Sequence, residues 1–153
     1  MNSVSNEAVS IIQILANLHE FVREPTLRKK LTEFYEFNDS EMRQTIFLAL
    51  NAVSSIEPEK LTAVVTTWMK VLSEFDTPKI VLMLRLYCEE IYRDPQIINK
   101  LNIGSLIGAF LALNDSKREN FIICLKEAIL TLPNANKFMQ RIPGVALNVL
   151  KIS

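Results

Sequence analysis

The chain has 153 residues, and 17 Lys and Arg residues balance 17 Asp and Glu residues, so its formal net charge is zero. Apolar residues make up 49% of the sequence, which is typical of one folded globular domain and not of a disordered chain. A neutral chain lacks the basic surplus of non-specific nucleic-acid or anionic-membrane binders, so both classes are disfavoured. Glycine is scarce, which disfavours a β-rich fold with many turns.

The two cysteines, Cys88 and Cys124, have no metal-ligand spacing and cannot form a disulfide framework, so we expect reduced, buried thiols. The first residues, MNSVSNEAVSIIQILANLHEF, lack the basic region and the small-residue cleavage site of a secretory signal. The most apolar stretch, residues 101–113, is shorter than the roughly 20 residues that span a bilayer. We therefore expect a cytoplasmic protein without membrane association.

A short motif recurs at an interval of 38 residues along the chain: FNDS at 37–40, FDTP at 75–78 and LNDS at 113–116. The third residue of each copy has a side-chain oxygen that can accept a hydrogen bond from the free N–H groups at a helix start. These predicted N-caps are Asp39, Thr77 and Asp115. Pro78 would then be the first helical residue, where its missing N–H costs nothing.

A proline follows each predicted N-cap after 18 or 19 residues: Pro58, Pro95 and Pro133. Because proline cannot continue a helix, each is predicted to mark the end of a helix of about four turns. The same rule predicts an N-terminal copy that begins at Asn6 and whose first helix ends at Pro25. Four units of two helices each therefore tile the chain, at about 6–38, 39–76, 77–114 and 115–153.

Apolar residues recur at helical spacing in both predicted helices of a unit. In the first helix of units two and three they are Met42, Ile46, Leu50 and Val53, then Ile80, Leu84, Cys88 and Ile91. In the second helix of unit two they are Leu61, Val64, Val65, Trp68, Leu72 and Phe75. The second helices of units three and four are predicted to break at residues 102–104 and 142–144.

Capped helix–proline–helix units of about 38 residues resemble α-solenoid repeats of the HEAT and armadillo type. The resemblance is architectural and covers the whole chain, and the broken second helices are closer to the armadillo pattern. It differs from the usual HEAT pattern because the prolines fall between helices and not within the first one. The resemblance implies an all-α, right-handed α-solenoid of about four helix-turn-helix units, and a compact multi-helix bundle is the alternative.

No catalytic, cofactor or metal constellation is apparent in the sequence. His19 is the only histidine, and Cys88 lies on a predicted apolar stripe without a recognisable base beside it. Glu89 and Glu90 are adjacent, so on a helix they face different ways. We therefore expect no enzymatic activity, no cofactor and no metal.

The predicted function is a protein–protein interaction or scaffold module that binds a peptide or a helical partner on a helix face. The alternative is a helical-repeat protein that binds nucleic acid on a local basic face, which the neutral charge disfavours. The candidate partner-binding residues are Arg23, Arg28, Lys29, Lys30, Lys60, Thr66, Thr67 and Lys70. A solvated helix face is the competing interpretation of this set.

The last predicted helix, residues 143–153, is apolar apart from Lys151. Solenoids normally need a polar outer face on their terminal repeats, so this end is predicted to contact a partner or a second copy of the chain. Packing back onto the third unit is the alternative. The candidate oligomer contacts are Val145, Val149, Leu150 and Ile152.

Overall fold

The computed structural model describes residues 11–150, and every regular element within this range is an α-helix. The helices are α1 (11–17), α2 (Glu20–Phe34), α3 (Asp39–Val53), α4 (Pro58–Leu72), α5 (Thr77–Arg93), α6 (Gln96–Lys100), α7 (Ile103–Leu111), α8 (Asp115–Leu130), α9 (Ala135–Arg141) and α10 (Gly144–Val149). The all-α prediction is therefore confirmed. None of these helices combines the length and the apolar character needed to cross a bilayer.

The closest helix pairings run along two rows. One row contains α2, α4 and α7, and the other contains α3, α5 and α8. The short helices extend the rows, since α10 packs against α7 and α9 packs against α8. In terms of the predicted units, first helices thus neighbour first helices and second helices neighbour second helices.

Apolar side chains from both rows form a shared core. The predicted stripes supply it: Ile46 of α3, Leu61 and Leu72 of α4 and Ile80 of α5 are almost completely buried. A second, smaller cluster lies under α9, where Phe138 packs with other buried residues, among them Cys88. The periodicity predictions for α3, α4 and α5 are therefore confirmed at these positions.

The helix caps lie one residue earlier than predicted. The side chains of Asn38, Asp76 and Asn114 accept hydrogen bonds from the backbone N–H groups three residues on, at 2.9, 3.1 and 2.9 Å. The predicted caps Asp39, Thr77 and Asp115 are instead the first helical residues. The reason is geometric, because the backbone of the first Asx residue is extended and its short side chain then reaches the free N–H groups.

The prolines follow the prediction except at one end of the chain. Pro95 and Pro133 lie between helices, and Pro58 is the first residue of α4. Pro25 was predicted to end a helix but lies inside α2, and the chain breaks earlier, at residues 18–19. Burial of the later part of α2 in the core offsets the cost of about 3 kcal/mol that an interior proline imposes. The predicted start at Asn6 lies outside the described residues.

The second helices of units three and four are both broken as predicted, but the break in unit three lies at residues 101–102, one residue earlier than predicted, so Gly104 is inside α7. In unit three α6 ends at Lys100 and α7 begins at Ile103, and in unit four α9 ends at Arg141 and α10 begins at Gly144. Asn102 caps α7, because its side chain accepts a hydrogen bond from the Ser105 N–H at 3.0 Å.

Candidate functional site

Two members of the predicted partner-binding set are buried between α2 and α4. Arg23 is 7% exposed and Thr67 is 3% exposed. Arg23 Nε donates a hydrogen bond to Thr67 Oγ1 at 3.0 Å, and Arg23 Nη1 donates to the Leu18 carbonyl oxygen at 2.9 Å. This corrects the expectation that both residues face a partner, because their polar atoms join neighbouring helices.

Two further members belong to an ion-pair network on the surface of the same helix pair. Arg28 Nη2 lies 3.0 Å from Glu24 Oε1, and Arg28 Nε lies 2.9 Å from Glu74 Oε2. Lys70 Nζ lies 3.2 Å from Glu24 Oε2. Hydrogen bonds from Lys70 and Arg28 hold the pKa of Glu24 below its usual value, and the bond from Arg28 lowers the pKa of Glu74. The two cations are therefore neutralised locally by two carboxylates.

The other four members have separate surroundings. Lys29 is exposed on the outer side of α2, and Lys30 Nζ lies 3.5 Å from Glu33 Oε2. Lys60 Nζ donates to Asn17 Oδ1 at 2.7 Å. Thr66 Oγ1 donates to a backbone carbonyl of its own helix, at 2.7 Å. The contacts thus link Arg23 with Thr67 and Arg28 with Lys70, but they do not gather the eight residues into one basic surface.

The candidate oligomer contacts include both residues that pack against the core and one that is exposed. Val149 and Leu150 are half-buried and pack against the core, which is the arrangement that the alternative interpretation predicts. Val145 is 57% exposed. Ile152 lies outside the described residues. Val145 is therefore the member of this set that the described structure leaves open to another molecule.

An apolar surface that the sequence prediction missed lies on α8. Ile123 is 61% exposed and Leu130 is 78% exposed. They are seven residues apart, and two helical turns place them on the same face. The buried face of α8 uses Phe121, Cys124 and Ala128. The signal in the sequence was the presence of Ile123 and Leu130 in addition to the buried residues of α8, but the sequence does not show which side of the helix is left open.

A large apolar cleft of about 730 Å³ lies between the two rows of helices. Two aromatic contacts join the rows across it. The rings of Trp68 and Tyr87 meet edge to face with centroids 5.4 Å apart, and those of Phe110 and Phe121 lie 5.9 Å apart. Trp68, which was predicted to be a core residue, is half-buried and borders the cleft. This volume is within the range of about 300–1,000 Å³ that is usual for ligand sites.

The polar side chains that line the cleft are concentrated on α2 and α3: Lys30, Glu33, Glu41, Gln44 and Thr45. Phe37 and Glu41 line the cleft and are exposed, so the cleft reaches the surface at this end. Elsewhere its lining is mostly aliphatic and aromatic. The cleft therefore has a polar mouth and an apolar interior.

The cleft offers little nucleophilic chemistry. The Cys88 thiol lines it, and burial raises the pKa of this thiol to about 12, which keeps it protonated. Burial also raises the pKa of Tyr87. Neutral thiol and phenol groups can donate hydrogen bonds there, but they are weak nucleophiles.

His19 precedes α2, is exposed, and has its ring centroid 4.8 Å from that of Phe21. Within residues 11–150 no three His, Cys, Asp or Glu side chains are placed to hold a metal ion. Comparison with known proteins finds no family model, curated protein or solved structure that matches this chain. Within the described residues the α8 face and the cleft are therefore the two candidate binding surfaces.

Proposed function

We propose that this chain is a non-enzymatic interaction module that binds a helical partner protein on an exposed helix face. The observation that carries the proposal is the pair of exposed apolar side chains, Ile123 and Leu130, on one face of α8. A partner helix with apolar residues on one side would cover them in the usual helix-to-helix manner. Glu119, Lys126 and Glu127 are also exposed on α8, and helical spacing places Lys126 and Glu127 between the two apolar residues, so the face combines apolar and charged contacts.

The position of α8 supports this role. Within the described residues α8 is the last long helix of its row, with α5 on one side and the short helix α9 beside it. A terminal helix in a stack normally has a polar outer face, because no further repeat covers it. Exposed apolar residues on a terminal helix are therefore a natural place for a partner.

The proposal includes an α-solenoid arrangement of the HEAT or armadillo type. The two rows of like helices and the recurrent caps at Asn38, Asp76 and Asn114 support it. A solenoid presents extended helix faces that bind other proteins, which agrees with a module whose exposed features are apolar and not catalytic.

Nucleic-acid binding has less support. The basic cluster on which it was based is engaged by acidic and polar neighbours, as in the pairs Arg28–Glu74 and Lys70–Glu24. Phosphate binding would require these cations to exchange one set of anions for another, which weakens the gain from each contact.

Site-specific photo-cross-linking in the cells that make the protein tests the proposed face. A benzoylphenylalanine residue placed at Leu130 should give a discrete adduct with another protein on irradiation. The substitution Ile123→Glu, two helical turns away on the same face, should abolish that adduct without changing the stability of the fold. The same photoprobe at Asn51, an exposed polar position on α3, is the matched control and should give no such adduct.

Two results would overturn the proposal. Equal adducts from Leu130 and Asn51 would show that the α8 face has no special affinity. An adduct that contains only this chain would show that the partner is a second copy of the chain. The apolar C-terminal residues predict such a homo-oligomer.

A further inference from the structure

We infer that the cleft between the two rows of helices binds the aliphatic chain of a lipid with an uncharged head group. The inference concerns a different part of the molecule from the α8 face and does not depend on it. It is based on the size of the cleft, on the chemistry of its interior and on the charges at its mouth.

The interior favours a long, flexible apolar guest. The cleft extends from α2 and α3 to α9 and α10, so its lining includes residues as far apart in sequence as Leu31 and Ile142. Its lining also includes Trp68, Leu106 and Leu125. An aliphatic chain that replaces water against such walls gains the hydrophobic free energy of burial, and water there has few polar groups to bond.

The mouth selects against an anionic head group. Of its charged residues, Glu33 and Glu41 are acidic and Lys30 is basic, and Lys30 is already paired with Glu33. A carboxylate at this position would be repelled by the net negative charge of the mouth. An alcohol has no charge and would not be repelled. Gln44 and Thr45 supply an amide and a hydroxyl that can bond to an uncharged polar head.

Trp68 provides a direct readout, because it is the only tryptophan of the chain and it borders the cleft. A dibrominated octadecanol quenches tryptophan fluorescence on contact, so titration with it should quench Trp68 saturably. Dibrominated stearic acid, which has the same chain and a carboxylate head, should bind severalfold more weakly. Unlabelled octadecanol should reverse the quenching by competition, which tests the unmodified protein.

Two variants locate the binding site. Ala49→Phe places a larger side chain in the cleft and should weaken octadecanol binding at least tenfold, whereas the same change at the exposed Ala112 should leave it unchanged. The double variant Glu33→Gln/Glu41→Gln should reverse the preference, so that stearic acid binds as tightly as octadecanol or more tightly. Glutamine at position 41 can keep the capping interaction with Asn38, so the fold of α3 is preserved.

The inference is overturned if dibrominated octadecanol fails to quench Trp68 saturably in the unmodified protein. It is also overturned if Ala49→Phe and Ala112→Phe bind equally well, since the chain would then lie elsewhere. If the double glutamine variant still prefers octadecanol to stearic acid, the head group does not lie at the mouth. Circular dichroism of each variant confirms that a loss of binding is not a loss of fold.

Discussion

Arg23 Nε donates a hydrogen bond to Thr67 Oγ1 at 3.0 Å, and both side chains are buried between α2 and α4. Thr67 Oγ1 also donates to the Ala63 carbonyl oxygen at 3.0 Å, so the hydroxyl is bonded on both sides. If Thr67 is lost, the buried Nε–H group of Arg23 has no acceptor and bears the cost of its desolvation, which makes this contact important for stability.

Thr67→Val removes the acceptor and keeps the shape of the side chain, so we expect it to lower the free energy of unfolding by about 1–3 kcal/mol. Urea denaturation followed by circular dichroism measures the change. Thr66→Val is the matched control, because it carries the same change of helix propensity, and the Thr66 hydroxyl is a donor only to its own helix. Equal losses of unfolding free energy in the two variants would show that the contact with Arg23 does not contribute to stability.

The observed cap position on α5 predicts a difference between neighbouring residues. Asp76→Ala should cost about 1 kcal/mol of stability, because the Lys79 N–H loses its side-chain acceptor. Thr77→Ala should cost less, since Thr77 is exposed and is the first helical residue. Thermal unfolding of the two variants measures both effects. A larger loss of stability from Thr77→Ala would show that Thr77 is the N-cap and that Asp76 is not.

The Glu24 network predicts a loss of stability in acid. Lys70 and Arg28 lower the pKa of Glu24 in the folded protein, so the stabilisation is complete above the ordinary value of about 4.5. It is lost as the pH falls below that value through the lowered folded pKa. Glu24→Gln should remove this part of the pH dependence, with an effect of under about 1 kcal/mol at neutral pH because the pairs are near the surface. Urea denaturation between pH 3 and pH 7 measures it.

Glu36→Gln is the control for this experiment, because Glu36 is exposed and forms no ion pair with another described residue. The two glutamine variants have the same change in net charge. If their pH profiles coincide, the acid sensitivity comes from the overall charge of the protein and not from the network.

The two ends of α10 should respond differently to a charge. Val149→Glu should lower the free energy of unfolding by about 1–3 kcal/mol, because Val149 packs against the core. Val145→Glu should change it by less than about 0.5 kcal/mol, since Val145 is 57% exposed. Urea denaturation separates the two, and light scattering reports whether Val145→Glu also lowers the molar mass in solution. A larger loss of stability from Val145→Glu would contradict the observed packing.

Features of the fold that depend on local chemistry could be predicted from the sequence. Helical periodicity identified buried residues such as Ile46 and Ile80, and the breaks near residues 102–104 and 142–144 follow from local turn chemistry. The caps were predicted one residue late because Asn-Asp and Asp-Thr both offer side-chain acceptors, and the backbone geometry decides between them. Pro25 misled the prediction because tertiary packing maintains a helix that proline alone would interrupt.

The candidate site was harder to predict because it depends on which helices are neighbours. Arg23 looks like a surface residue in the sequence, and its burial follows only from the position of Thr67 on α4. Ile123 and Leu130 look like core residues, and their exposure follows from the open side of α8. Likewise the cleft is a property of the spacing between rows, which no single helix encodes.

The cleft has a consequence for the molar volume of the protein. About 730 Å³ between the rows is not filled by side chains, and the polar mouth connects this space to the surface. Any part of the apolar interior that excludes water adds to the volume lost on unfolding, so hydrostatic pressure favours the unfolded chain. A guest that fills the cleft would make the folded protein more resistant to pressure as well as to heat.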